Sequence, residues 1–209
     1  MTLLVIFFSS FVIALSGALM PGPLLTVTVS ESTRRGAVAG PLVILGHGIL
    51  ELVLVLALLS GLAPFLQRDD VFVIIALAGG VILLWMAISM FRGLPSLSLN
   101  ISAGERKKQN LVLTGIVFSL ANPYWLIWWT SIGLGYIVYS VQFGAAGVFL
   151  FFAGHILADF AWYAFISFGV AKGRRYFSDR AYRSLIGGCA FFLLLFAGYF
   201  LYNGLERLL

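Results

Sequence analysis

Apolar residues fill six long blocks of this chain, at about 3–30, 37–66, 71–91, 110–133, 142–170 and 184–205. Connections separate them at 31–36, 67–70, 92–109, 134–141 and 171–183, and all but the third are short. Each block reaches the roughly 20 residues that an α-helix needs to cross a bilayer. The pattern therefore predicts an all-α membrane protein of six transmembrane helices, folded as a single domain over 1–209. The first block has no basic residue before it and no small-residue cleavage site, so it is read as a retained helix. Composition points the same way: 61% of residues are hydrophobic, 10% are charged, and mean hydropathy is +1.05. Too few polar residues remain to cover a soluble globule of 209 residues.

Charge adds an orientation. Of the 13 Lys and Arg residues, only Arg68 and Arg207 lie outside the first, third and fifth connections and their edges. The others are Arg34, Arg35, Arg92, Arg106, Lys107, Lys108, Lys172, Arg174, Arg175, Arg180 and Arg183. By the positive-inside rule, 31–36, 92–109 and 171–183 are expected in the cytoplasm of a cell whose inner membrane holds the protein, with both termini outside. The net charge of +5 thus reads as a topology signal with anionic-lipid contacts, and no nucleic-acid partner is expected. A lone Cys189 excludes an intramolecular disulfide and a dithiol relay.

A motif recurs at a fixed distance. Gly46-His47-xxx-Glu51 returns 108 residues later as Gly154-His155-xxx-Asp159, and the same offset pairs Gly36 with Gly144 and Gly79-Gly80 with Gly187-Gly188. The second half therefore reads as a copy of the first, with repeats at about 1–100 and 101–209. A repeat of three helices must re-enter the membrane from the opposite side, which makes it inverted. The first and fourth helices also carry interruptions in their interiors. Pro21-Gly22-Pro23 removes two backbone donors around a flexible residue, and Pro123 pushes Asn122 out of the helical region. Non-helical backbone at bilayer depth needs a protein or water-filled cavity to cover it, so both breaks are expected to line a binding site at mid-membrane.

Four ionisable groups fall in the same depth range. The i,i+4 spacing stacks His47 over Glu51 and His155 over Asp159 on one face of each helix. A carboxylate at the bilayer centre costs about 2.5–3.5 kcal/mol on insertion scales. Such groups are candidates for binding protons or cations, or the solute itself. The glycines at 36, 40, 46, 48, 144, 147 and 154 are assigned to close helix packing. Tyr136 and Tyr139 are assigned to an interfacial belt, and Trp125, Trp128 and Trp129 to belt or lipid contact, with the lining of an outward vestibule as the alternative for the tryptophans.

Together these residues resemble a family. Pro21-Gly22-Pro23, Gly36-xxx-Gly40-xxxxx-Gly46, Glu51 and Asn122-Pro123, in this order and in a six-helix setting, are similar to the lysine exporter (LysE) family of amino-acid export permeases. The likeness covers nearly the whole chain. It implies a secondary transporter of the inner membrane, not an enzyme and without cofactors, that moves amino acids or related small metabolites out of the cytoplasm in exchange for protons or cations. Homo-oligomerisation is left open. Two features depart from the pattern: Tyr124 stands where many members carry lysine, and the double Gly-His-xxx-acid motif is unusually ionisable.

Three other classes compete. Two imidazoles and two carboxylates could form a metal site in a divalent-metal exporter, using His47, Glu51, His155 and Asp159. An intramembrane hydrolase is weaker, because Ala14 stands two residues before Ser16-Gly17 where a Gly-x-Ser-Gly motif would have glycine. A purely structural membrane protein would gain nothing from the buried charges.

The charge pattern makes one direct prediction. With Cys189 replaced by alanine, cysteines placed singly at 69 and 206 should react with an impermeant thiol reagent in intact cells, and cysteines at 107 and 174 should be protected. The reverse pattern would overturn the orientation.

Overall fold

In a computed structural model, residues 3–96, 109–173 and 178–208 are described, and every regular element among them is helical. The elements are α1 (Leu3–Ala18), α2 (Pro23–Arg35), α3 (Ala39–Ala57), α4 (Ala63–Leu66), α5 (Asp69–Gly93), α6 (Leu111–Leu120), α7 (Pro123–Trp128), α8 (Leu134–Val141), α9 (Gly144–Gly173) and α10 (Asp179–Leu208). Four helical paths are long and apolar enough to cross a membrane: Pro23–Leu66, Asp69–Ser96, Gly144–Gly173 and Asp179–Leu208. A fifth is the pair Leu111–Leu120 and Pro123–Val141, bent by 68°. α1 is equally apolar but only 16 residues long. Of the expected cytoplasmic basic residues, Arg106, Lys107, Lys108, Arg174 and Arg175 lie outside the described residues.

The interruptions fall where proline chemistry puts them. The chain leaves the helix at Leu19–Gly22 and restarts with Pro23 in the first turn of α2, where a missing N–H is harmless. α6 ends at Leu120, and Asn122 caps α7 by accepting a hydrogen bond from the Tyr124 N–H at 3.2 Å. Three boundaries differ from the sequence pattern. In the expected connection 171–183, α9 extends to Gly173 and α10 already begins at Asp179, which puts Arg180 and Arg183 in the helix. The expected connection at 31–36 is helical up to Arg35, and a short 3-10 turn at Gly36–Val38 carries α2 on toward α3. The expected connection at 134–141 is α8: a wide π-helical turn at Trp129–Gly133 continues the helix through the apolar Leu134–Val141, so the connection shrinks to 142–143.

Three helix pairs organise the bundle. α5 packs along α10, α1 along α9, and α3 along α6, while α2 and α3 also meet α9. The first pair is antiparallel, with Gly80 against Leu201 and Asp69 against Arg207. Backbones approach closely at these seams because side chains are missing there. A methyl on Gly46 would overlap the Val112 carbonyl of α6, one on Gly115 the Val43 carbonyl of α3, and one on Gly154 the Phe7 carbonyl of α1. Ser10 adds a link by donating to the Phe151 carbonyl at 2.9 Å, and Ser167 accepts from the Gly40 N–H at 2.6 Å.

The glycine assignments need two corrections. Gly36 and Gly144 have open space around them and adopt φ +77° and +63°, so they serve as turn residues rather than packing contacts. Gly79 is pressed on the Pro123 ring and Gly80 on Leu201, whereas Gly187 has only ordinary contacts and Gly188 has none. The matched letters at 79–80 and 187–188 therefore do not share a packing role.

Because α3 touches α6 at Gly46, and α9 touches α1 at Gly154, through backbone, Gly46→Ala and Gly154→Ala should each destabilise the protein by about 1–3 kcal/mol through overpacking. Gly188→Ala, facing open space, should leave the detergent melting temperature unchanged or higher. Equal tolerance of all three would contradict the packing account.

Candidate functional site

The two helix breaks adjoin each other. A methyl on Gly22 would lie 3.6 Å from the Asn122 amide nitrogen, and both breaks face one cavity lined also by His47, Glu51, His155 and Asp159. Of the expected site residues, Pro21, Gly22 and Asn122 line this cavity together with the four ionisable groups. Pro23 and Pro123 do not. They are buried at the starts of α2 and α7, where Pro123 fills the space over Gly79. About 70 Å³ of the cavity is open to the centre of a water molecule, room for a few waters.

Glu51, on α3, is the centre of the cluster and is 1% exposed. Its Oε1 accepts hydrogen bonds from the indole N–H groups of Trp125 at 3.1 Å and Trp129 at 2.8 Å. The same oxygen lies 3.0 Å from His47 Nε2. His155 Nε2, reaching in from α9, is 3.1 Å from Glu51 Oε2 and 3.4 Å from Asp159 Oδ2. His47 Nε2 is 3.8 Å from that same Asp159 oxygen, so the cluster closes into a ring.

The hydrogen-bond network assigns one proton. The Ser119 hydroxyl donates to the Gly115 carbonyl at 2.7 Å, which uses its only hydrogen. Its 2.7 Å contact with His47 Nδ1 must then be accepted from the ring, so Nδ1 carries a proton. A further proton must lie between His47 Nε2 and Glu51 Oε1, since two lone pairs 3.0 Å apart would repel. Two indole donors on Oε1 favour the ion pair, with the carboxylate on Glu51 and the positive charge on His47.

The second half of the cluster is less complete. Asp159 Oδ2, both ring nitrogens of His155 and the second oxygen of Glu51, Oε2, are buried without an aligned hydrogen-bond partner. The His155 ring is instead walled by Trp128, Trp129 and Phe151, with centroids at 4.8, 5.0 and 6.1 Å. Ligand atoms of His47, Glu51 and Asp159 lie within 4.8 Å of one another, close enough to share a cation.

Belt or lipid contact does not describe the tryptophans. Trp125, Trp128 and Trp129 are 7%, 5% and 0% exposed and form the wall of the cavity. For Trp125 and Trp129 the reason is chemical: a buried carboxylate needs donors, and the indole N–H supplies one without adding charge, whereas Trp128 packs on the His155 ring. Ser119 also escaped notice. The i,i+4 spacing of Trp125 and Trp129, directly after the break and on one helical face, was the available signal; Ser119, four residues before Pro123, gave none that distinguishes it from other helix serines.

Comparison with known proteins agrees with this architecture. The chain is 30% identical over 202 residues to the "Chemotactic transduction protein ChpE" of Pseudomonas aeruginosa, covering 94% of this chain and 97% of that protein. It is 22% identical over 206 residues to a Bacillus subtilis protein named "Putative amino acid efflux protein YcgF", covering 98% and 99%. No solved structure matches. The sequence profile of the LysE type translocators matches residues 15–204, from the end of α1 to the end of α10, and the chain belongs to that family of membrane transporters.

Proposed function

We propose that this protein exports amino acids or closely related small metabolites from the cytoplasm, in exchange for protons or cations that bind at the His47, Glu51, His155 and Asp159 cluster. The observation that carries the reading is the meeting of two helix breaks and four buried ionisable groups at one cavity. The N-terminal end of α2 presents the backbone N–H groups of Leu24 and Leu25, which precede the first intrahelical bond from Thr26 to Gly22, to a carboxylate, and the freed carbonyls at the end of α1 suit an amine or cation.

The same reading places the protein in the inner membrane as one domain of six spans, α1 with α2 forming the first and the bent α6–α8 path the fourth. Correspondences support an inverted repeat. α1 against α9 and α6 against α3 are equivalent pairs under it, α5 against α10 is its own equivalent, and Gly36 and Gly144 share a positive φ. Arg34, Arg35, Arg92 and Lys172 at helix C-terminal ends support a cytoplasmic face there.

Within the cluster the roles divide. Glu51, held by two indoles and His47, acts as a fixed anion. Asp159 and His155, buried without aligned partners, form the exchangeable pair that takes up the coupling ion and releases it as the halves rearrange. A metal cargo is less favoured, because the family match and the relative named for amino-acid efflux both point to an organic solute.

Asp159→Asn removes an exchangeable charge while keeping the shape. It should fold with a melting temperature near wild type and lose the acceleration of amino-acid efflux by an imposed pH or cation gradient in proteoliposomes. Glu51→Gln should lower both stability and flux, since one of its oxygens would become a donor facing donors. Retention of gradient-driven flux in Asp159→Asn would show that the pair is scaffolding.

A further inference from the structure

A second cavity lies beyond the first, further along α2. It begins at Thr26, whose hydroxyl bonds the Gly22 carbonyl at 3.1 Å, one turn past the break, and it extends to Arg34 near the basic end of the helix. About 360 Å³ of it is open to the centre of a water molecule, several-fold more than at the ionisable cluster. The two cavities share three walls: α2, α5 (Leu83 in one, Met86 in the other) and α6 with the break that follows it (Ser119 and Asn122 in one, Phe118 in the other).

Its charged lining is balanced. Glu31 is only 4% exposed, and its Oε1 accepts from Arg34 Nη1 at 3.3 Å. The other oxygen, Oε2, is 2.8 Å from Arg35 Nε, outside the cavity lining. Arg34 is the more exposed of the two arginines, 36% against 26% by side chain. Its long bond to Glu31 can therefore open while Arg35 keeps the carboxylate anchored. Opposite them lie Met86, Met90 and Phe118, an apolar wall whose methionines adapt to different shapes.

We propose that this cavity is an entry site for zwitterionic amino acids with apolar side chains. The ligand carboxylate pairs with the Arg34 guanidinium, the ligand ammonium with Glu31, and the side chain rests on the methionine and phenylalanine wall. One negative and one positive partner match a molecule that carries both charges. An amine or a simple carboxylic acid leaves one of the two partners desolvated and unmatched, and a dibasic amino acid adds a charge that nothing among the described lining residues neutralises. The inference rests on the export reading for its place on the transport route, with the solute passing from here through the breaks at Gly22 and Asn122 to the ionisable cluster.

Calorimetric titration of the purified full chain in lipid nanodiscs tests it with leucine, 3-methylbutylamine and 4-methylpentanoate. Leucine should bind at least about tenfold more tightly than either analogue. Arg34→Gln, at a half-exposed position where folding is tolerant, should abolish the preference for leucine over the amine. Ser89→Phe, which fills the cavity from α5 without touching either charge, should weaken leucine binding by about tenfold or more. Absence of leucine binding, or leucine affinity and selectivity unchanged in both variants and lost only in Asp159→Asn, would overturn the proposal. Selective binding that depends on Arg34, found together with no leucine efflux, would sustain this site and refute the export reading instead.

Discussion

A carboxylate buried at the centre of an apolar bundle has to be surrounded by donors, and the placement of Glu51 governs much of what lies around it. α7 brings the donors of Trp125 and Trp129 to one of its oxygens and α3 brings His47 to the same oxygen, while α9 holds His155 3.1 Å from the other without an aligned bond. Those donors can converge only if α6 turns sharply into α7, which is what the Asn122-Pro123 break and the 68° bend provide. They also require α3 to lie close against both α6 and α9, and the backbone contacts at Gly46, Gly115 and Gly40 allow it. Removing His47, its charged partner, would leave the buried carboxylate uncompensated, a loss of about 3–5 kcal/mol.

Around this fixed centre the two halves are unequal. His47 has a partner on each ring nitrogen, through Ser119 and Glu51, whereas His155 has no aligned bond at either nitrogen. Equivalent positions in a repeat have thus been put to different uses. One half holds a permanent ion pair that fixes the geometry, and the other keeps polar groups in reserve, at an energetic cost that a bound ion or solute would relieve.

Much of the architecture could be read from the order of residues because the constraints are local. Pro21, Pro23 and Pro123 fix where helices restart whatever surrounds them, and the i,i+4 spacing puts His47 and Glu51 on one face by helix geometry alone. The helical continuity of 134–141 was missed because a π-helical turn at Trp129–Gly133 leaves no compositional mark. The tryptophans were misassigned for a different reason. An indole is equally at home at a membrane interface and beside a buried anion, and only the three-dimensional position of Glu51 decides between them. Similarly, Glu31 with Arg34 and Arg35 reads along the chain as an ordinary helix-end ion cluster; the cavity beside it is a property of α5 and α6 as much as of α2.

The central claim is that solute binding and the charge state of the Asp159–His155 pair are linked. Proton release or uptake on adding a bound amino acid to the purified protein, read with an indicator dye in weakly buffered solution, measures that linkage directly. The account predicts an exchange on the order of one proton per protein molecule, lost in Asp159→Asn while the amino acid still binds. Binding with no proton movement in the wild type at any pH between about 5 and 8, the range in which histidine ordinarily titrates, or an exchange that survives in Asp159→Asn, would contradict it.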